Sequence, residues 1–415
     1  MPTRVEVGFI EQVKDLVHST VAVYAKRLPY LRYCDIRMEV REEKRAASEN
    51  GIARMSVEDA AFSFSVRVLA GNRVVAPGYF GQLLGAADTE RMKRVLRLGL
   101  KHAYHRAVAN AEAKALARGR FGPLGDALYS TELAPIEVCQ EVVPAVYRID
   151  PRSVPLADVG KMAVDACKAA QSASKQIAYS ATMAATILVR ELFSSSEGAS
   201  IDQSYALTEG AVFVVSQGKT GPLDLYDFTG HQRGWEVLTE GYDGGSISLQ
   251  DFATFSKGLA QDAVRVSNAP PIKPSDKEVV VVTDPHFNAL LVHEVIGHPS
   301  ELDRALKYET GYAGRSWFFK SLKDNQVGKR VASPLFSAFS DPTMEGYGFY
   351  KYDHDGTPAR RAHHIEKGIF KEFLNSRQTA PIIGAEPNGS FRAAEGWLVP
   401  LIRMTNTVIA PGKSD

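Results

Sequence analysis

The apolar positions at the start of the chain recur at helical spacing. Between Phe9 and Leu28 they recur every three or four residues, with two adjacent pairs, and Pro29 ends the pattern. This periodicity predicts one amphipathic helix. The stretches "CDIRMEVRE", from Cys34, and "AFSFSVRVLAGNR", from Ala61, instead place apolar residues at every second position. That alternation predicts half-buried antiparallel strands.

The pattern farther along predicts three regions. A long helical pattern over residues 88–118 follows the strands, so residues 1–120 are expected to form an N-terminal α+β domain of helices and antiparallel sheet. Residues 121–270 mix helical and alternating stretches, which indicates a central α+β domain. A segment rich in proline and small polar residues, 267–278, then leads into a β-rich C-terminal domain over residues 271–415.

The C-terminal region opens with a continuous apolar run, Val279–Thr283. Such a run is typical of a strand buried on both faces. Asp284 and Pro285 follow, and they suit the N-cap and first turn of a helix. We therefore expect a helix that leaves a buried strand at this point.

Composition excludes several classes of protein. The 49 basic residues nearly balance the 48 acidic ones, for a formal charge of +1, so no overall field favours nucleic acid or an anionic membrane. Three widely spaced cysteines argue against a disulfide framework and for a reducing compartment. No stretch has the length of a transmembrane span or the pattern of a secretory signal. A cytoplasmic location is expected.

The stretch "LVHEVIGHPSELDR", Leu291 to Arg304, carries the chemistry. Its two histidines, His293 and His298, are five positions apart, which separates them by about 140° on a regular helix. For both to reach one metal ion, the helix must widen into a π-type turn or stop between them. Gly297 tolerates such a departure, and Pro299 disfavours helical geometry at the residue before it.

Zinc is the metal that this residue set favours. Two neutral imidazoles are good zinc ligands, and Glu294, beside the first histidine, can act as general base toward a zinc-activated water. Glu301 and Asp303 follow within about one turn and could orient the imidazoles or supply a further ligand. Surface charge is an equally weighted interpretation of these two carboxylates.

At this point the sequence resembles the TldD/PmbA family of metallopeptidases, and specifically its metal-bearing TldD-like subunits. The family pattern HExxGHxxExD is matched by His293, Glu294, Gly297, His298, Glu301 and Asp303. The segment from Asp353 to Ala380 is similar to the family's DxxGTP segment, and "IRMTNTVIAPGKS", from Ile402, is similar to its RMTN block. The resemblance covers most of the chain.

The resemblance implies an intracellular peptidase with one zinc ion per active subunit, acting on unfolded or small peptides. It also implies a dimer, either a homodimer or a heterodimer with a PmbA-like subunit that lacks the motif. The family's third zinc ligand is a cysteine beyond the RMTN block, whereas this chain stops at Asp415. We expect that the chain is truncated, that the third ligand lies beyond residue 415 and that the metal site is incomplete or empty. The alternatives are that Glu301, another carboxylate or a partner completes it.

The sequence leaves alternatives for the roles of two further residues and for the function of the protein. Arg403 and Asn406 could bind a substrate carboxylate or backbone, or could equally stabilise a hairpin. The function that the sequence favours is a zinc-dependent peptidase with Glu294 as base. The alternatives are a non-catalytic peptide-binding or scaffold subunit, and a zinc amidohydrolase that acts on a small amide.

Overall fold

The computed structural model describes residues 5–121, 130–245, 247–274, 276–309, 311 and 314–412. It confirms the predicted α+β class, with an N-terminal helix, a large sheet and a β-rich C-terminal region. The helices are α1 (Phe9–Arg27), α2 (Met92–Phe121), α3 (Leu156–Ser172), α4 (Glu236–Glu240), α5 (Phe252–Ser267), α6 (Pro285–Val292) and α7 (Leu302–Ala305).

Among the described residues, the strands form one large sheet and three small ones. Their bounds are β1 (Leu31–Glu49), β2 (Ile52–Ala70), β3 (Ala76–Leu84), β4 (Gln140–Val143), β5 (Ile177–Ser195), β6 (Ser200–Gly218), β7 (Gly221–His231), β8 (Tyr242–Gly244), β9 (Ile247–Leu249), β10 (Ala338–Ser340), β11 (Ala362–Glu366), β12 (Ile369–Phe370), β13 (Phe391–Arg392), β14 (Leu401–Ile402) and β15 (Thr407–Ile409).

The large sheet has the order β3-β2-β1-β5-β6-β4, with β7 also paired to β6. Its long neighbours are antiparallel, and β4 joins β6 in parallel. Strand β1 pairs with β5 from Asp35 opposite Ser195 to Glu49 opposite Ala181. A division at residue 120 therefore crosses a continuous sheet, and the three domain boundaries stay a prediction.

One face of this sheet is covered by helices. The alternate residues Cys34, Ile36, Met38 and Val40 of β1 are fully buried in one apolar core with residues of α1 and α2. Farther along the same strand, Ala46 joins a second core with residues of α3 and α5. The apolar residues that recur at every second position of β1 thus form the side of the sheet that faces the helices.

The opposite face carries the charged residues of these strands, and it too is buried. Asp35 and Arg37 of β1 are 5% and 2% exposed. Arg67 of β2 donates to Asp35 at 2.8 Å and pairs with Asp355 of the C-terminal region. The expectation of half-buried strands was wrong here, because the C-terminal region covers this face and supplies Asp355, one of the two carboxylates that pair with Arg67.

Arg37 also fixes a loop of the C-terminal region. One guanidinium nitrogen, Nη2, donates to the carbonyl oxygens of Glu395, Gly396 and Leu398 at 3.2, 2.9 and 3.2 Å. A side chain on Gly81 would clash with the carbonyl of Trp397, at 1.7 Å from its Cβ. The loop over residues 394–399 therefore rests directly on the sheet.

The C-terminal region has its own apolar core. A small sheet of order β12-β11-β10-β15 and the pair β13–β14 surround it. Val292 of α6 and Ile296 just beyond it are buried in this core together with Phe318, Phe370 and Phe373. The motif helix is thereby held by one side while its other side stays open.

The apolar run before α6 does not form the predicted buried strand. Val279, Val280, Val281 and Val282 are 70–94% exposed and lie outside any strand. The run has the composition of a buried strand, but a strand also needs a partner for its backbone groups. Within the described ranges no segment pairs with these valines, so the prediction was wrong.

No helix in the described part of the chain is long and apolar enough to cross a bilayer.

Candidate metal site

Helix α6 begins as the sequence predicts. The Asp284 side chain accepts a hydrogen bond from the backbone nitrogen of Phe287 at 2.8 Å, and Pro285 is the first helical residue. The cap occupies one of the backbone donors that a helix start leaves unpaired, and proline has none to lose there. These two residues fix where the helix starts and thus where its histidines fall.

The helix widens into a π-helical turn over His293–Gly297, which confirms the predicted irregularity. The backbone nitrogen of His298 bonds the carbonyl of His293, five residues back, and a short 3-10 turn containing Pro299 follows. With the extra residue accommodated, the two rings lie 4.6 Å apart at their centroids. Their Nε2 atoms are 3.1 Å apart.

Neighbouring segments support this turn. The carbonyl of Val295 accepts a hydrogen bond from the Trp317 indole nitrogen at 2.8 Å. Met404 packs beneath Gly297, where a Cβ would come within 2.3 Å of the Met404 sulfur. A π-turn disturbs the regular helical hydrogen bonds, so these two contacts help explain why it persists here.

The two imidazoles fit a zinc ion. Ligands at about 2.1 Å in tetrahedral geometry are about 3.4 Å from each other, close to the 3.1 Å between the two Nε2 atoms. A carboxylate oxygen of Glu294 lies 3.9 Å from His293 Nε2, and the three groups have ligand atoms within 4.8 Å of one another. Burial, and then the electrostatic influence of His298, lowers the pKa of His293, which favours the neutral ring that a metal needs.

Glu301 contacts the opposite edge of the second ring. Its Oε2 lies 3.1 Å from His298 Nδ1, and Arg304 donates to the same oxygen at 2.6 Å. The Glu301 carboxylate is fully buried. A proton held on Nδ1 toward Glu301 leaves the Nε2 lone pair free for a metal, so Glu301 is placed to orient His298.

Among the residues that the structure describes, the group that could hold a metal consists of His293, Glu294 and His298, and no further side chain joins it. Cys34 and Cys167 are buried elsewhere, in β1 and α3. The expectation that a third ligand lies beyond residue 415 stays a prediction.

We predict that Glu301→Gln lowers zinc affinity about 10- to 100-fold, the range typical when a partner that orients a ligand is removed. The amide cannot hold the Nδ1 proton of His298 as a carboxylate does. Competition with a chromophoric chelator measures the change, and Glu372→Gln, at a carboxylate that pairs with Arg360 and bonds neither His293 nor His298 in the described part of the chain, is the matched control. Unchanged zinc affinity in Glu301→Gln would contradict the orienting role.

The other predicted site residues have different surroundings. Asp303 accepts from the backbone nitrogens of Ile402 and Arg304 at 2.9 and 2.8 Å, and burial raises its pKa to about 6. Its carboxylate thus ties the motif to β14. The Asn406 amide forms hydrogen bonds with the backbone of residues 341, 344 and 348. These bonds favour a stabilising role for Asn406 over a contact with substrate.

Arg403 lies at the site itself. Its Nη1 is 3.5 Å from Oε2 of Glu301. It also lines a cavity of about 200 Å³ together with His298, Arg392, Ala394, Leu398, Val399 and Leu401. A substrate contact for Arg403 therefore stays a prediction that its position permits.

Several residues of the site were not singled out from the sequence. Arg304 has a signal, since it follows Glu301 by three residues and such pairs meet on a helix. Met404 lies within the RMTN block and could have been noted. Arg392 and Trp317 gave no signal, because their contacts depend on segments far away in the chain.

Comparison with known proteins indicates which class of protein the chain resembles. Residues 276–415 match the description "PmbA/TldA metallopeptidase C-terminal domain". A metalloprotease of Methanothermobacter thermautotrophicus is 31% identical over 222 residues, which is 53% of this chain and 43% of the relative. A zinc metalloprotease TldD homolog of Saccharolobus solfataricus is 30% identical over 141 residues, 34% of this chain and 29% of the relative.

The C-terminal third of the chain is therefore similar to the C-terminal domain of PmbA/TldD metallopeptidases. The fold of the chain is similar to that of TldE from Thermococcus kodakarensis, with a TM-score of 0.62 at 16% identity over 98% of this chain and 78% of that one. The matched stretches span less than half the length of these two curated relatives.

Proposed function

We propose that this chain is a zinc-dependent peptidase that hydrolyses unfolded or small peptides. The observation that carries the proposal is the convergence of two imidazole nitrogens, 3.1 Å apart, beside the carboxylate of Glu294. The names of the relatives, metalloprotease and zinc metalloprotease, support both the reaction class and the metal.

His293 and His298 would hold the ion through their Nε2 atoms. Zinc, when bound, supplies a Lewis acid that polarises a carbonyl and lowers the pKa of water toward about 7. Glu301 holds the proton on Nδ1 of His298 and keeps that ring turned toward the site. These residues position the nitrogen atoms that bind the metal and take no part in the proton transfers.

Glu294 would carry the proton. Its side chain is 57% exposed and lies beside His293, so water and substrate can reach its oxygens. A carboxylate in this position accepts a proton from the attacking water and delivers it to the amine nitrogen that leaves. Glu294 thus acts first as a general base and then as a general acid.

A dimer, with a second copy or with a related subunit, and a cytoplasmic location belong to the same proposal. The family resemblance supports them. A zinc amidohydrolase and a non-catalytic peptide-binding subunit are the other outcomes of the test.

With its third zinc ligand supplied, from beyond residue 415 or by a partner, we expect the protein to bind one zinc ion and to cleave a mixed pool of unstructured peptides only when that ion is present. Metal content by mass spectrometry and peptide products by chromatography are the measurements. His293→Ala and His298→Ala should lose the metal and the activity, whereas His105→Ala, an exposed histidine of α2, should keep both. Peptide cleavage that survives loss of the metal would overturn the proposal.

A further inference from the structure

The cavity beside His298 contains a second guanidinium, that of Arg392. The cavity measures about 200 Å³, and its walls combine two arginines with the apolar side chains of Leu398, Val399 and Leu401. A cavity of this size has room for a single residue of an extended chain. It lies directly beside one of the two candidate metal ligands.

Aromatic rings hold Arg392 in place. Its guanidinium carbon lies 4.4 Å from the ring centroid of Tyr350 and 5.9 Å from that of Tyr205. Contacts of this kind favour a cation over a ring face without using the hydrogen-bond donors of the guanidinium. Both tyrosines are buried, so the arginine is supported from one side by rigid side chains.

The donors of Arg392 have no protein acceptor. Throughout the described part of the chain, its guanidinium makes no hydrogen bond and no ion pair, and its Nε is buried without a partner. Glu191, one of the carboxylates whose charge acts on Arg392, already bonds His354 at 3.2 Å. A buried donor without an acceptor is costly, and an arginine fork is best satisfied by a carboxylate.

The loop that closes the cavity is held firmly. Ala394 and Leu398 belong to the loop that Arg37 fixes to the large sheet through three carbonyl groups. The walls are therefore set before any ligand arrives. Preorganised walls lower the entropic cost of binding a flexible peptide.

We propose that Arg392 forms a carboxylate-binding subsite for the substrate, next to the metal position. The inference rests on the proposed function, and it names the substrate class: peptides that carry a carboxylate within about one residue of the cleaved bond. That carboxylate is either the C-terminal carboxylate of the peptide or the side chain of an acidic residue. Leu398, Val399 and Leu401 would pack against the aliphatic part of the same residue.

Binding is tested apart from cleavage, in zinc-loaded Glu294→Gln protein. Three fluorescein-labelled hexapeptides of alanine and leucine are compared by fluorescence anisotropy: one with a free C-terminal carboxylate, one with a C-terminal amide, and one amide with a single internal glutamate. We expect at least one carboxylate form to bind on the order of tenfold more tightly than the plain amide. The form that does so identifies the source of the carboxylate.

Arg392→Gln should remove this preference, and Arg392→Lys should keep part of it, since lysine retains the charge without the fork. Arg97→Gln, at an exposed arginine of α2, should leave it unchanged. Equal binding of all three peptides by the protein with Arg392 intact would overturn the subsite, as would a preference that survives in Arg392→Gln. If Arg392→Gln fails to fold, the peptide comparison and Arg392→Lys still decide the matter.

Failure of the subsite and failure of the peptidase are distinguishable. Cleavage of the same peptides is measured with Glu294 intact. Peptide preference without cleavage would refute the peptidase and retain the carboxylate subsite, whereas cleavage without preference would refute the subsite alone.

Discussion

Glu294→Gln is expected to lower the rate of peptide hydrolysis by about 10²- to 10⁴-fold, the range that positioned acid–base groups contribute. The amide has the shape of the carboxylate but cannot accept a proton from water. Because the Glu294 side chain is largely exposed, the fold and the zinc content should not change. Steady-state kinetics with a quenched fluorescent peptide gives the rate, and metal analysis gives the zinc content.

Glu278→Gln is the matched control, since it makes the same change at an exposed glutamate before α6. It should retain the full rate. If Glu294→Gln kept most of its activity with zinc bound, some other group would have to accept the proton, and the assignment of Glu294 would be wrong.

Arg67→Met is expected to reduce the free energy of unfolding by about 3–5 kcal/mol, the cost of breaking a buried ion pair from one side. Arg67 is 2% exposed and pairs with Asp35 and Asp355, which are also buried. Methionine fills much of the space but leaves two carboxylates without a counter-charge. Urea unfolding followed by circular dichroism measures the loss.

The loss should depend on pH in a definite direction. Burial already raises the pKa of Asp35 above its ordinary value in the folded protein, and removal of Arg67 would raise it further. A carboxyl whose folded pKa is raised favours folding when it is protonated, so the variant should recover stability as the pH falls from 8 toward 5.

Arg54→Met is the comparison, because Arg54 pairs with Glu49 at an exposed position. Surface pairs contribute about 1 kcal/mol or less. An equal loss in Arg67→Met and Arg54→Met would show that the buried pairs between the sheet and the C-terminal region do not stabilise the fold as described.

Local signals in the sequence predicted the motif helix well. Asp284 and Pro285 indicated its first turn, and the spacing of His293 and His298 required either a π-type turn or an end of the helix between them, of which the π-turn is observed. Each of these features depends on residues within a few positions of one another. Backbone geometry of that kind is largely decided by near neighbours, which is why the convergence of the two rings could be foreseen.

Features that depend on distant segments were not predicted. The charges of β1 suggested a solvated face, but Asp355 and the loop over 394–399 cover it. The valines at 279–282 suggested burial, but no described segment pairs with them. Arg392 became notable only because Tyr205 and Tyr350 hold it. In each case the deciding partner is far away along the chain.

The π-turn has a consequence for how the motif tolerates change. The turn takes up one residue beyond the four that would bring the two rings to within about 40° of each other on a regular helix. Deletion of Val295 would leave the two histidines at that four-residue spacing, so the turn could close to a regular helix without separating the rings. Replacement of the Val295 side chain, which is 45% exposed, would leave the turn itself unchanged. The motif is therefore tolerant of the identity of this residue, and of its loss where the helix takes up the difference.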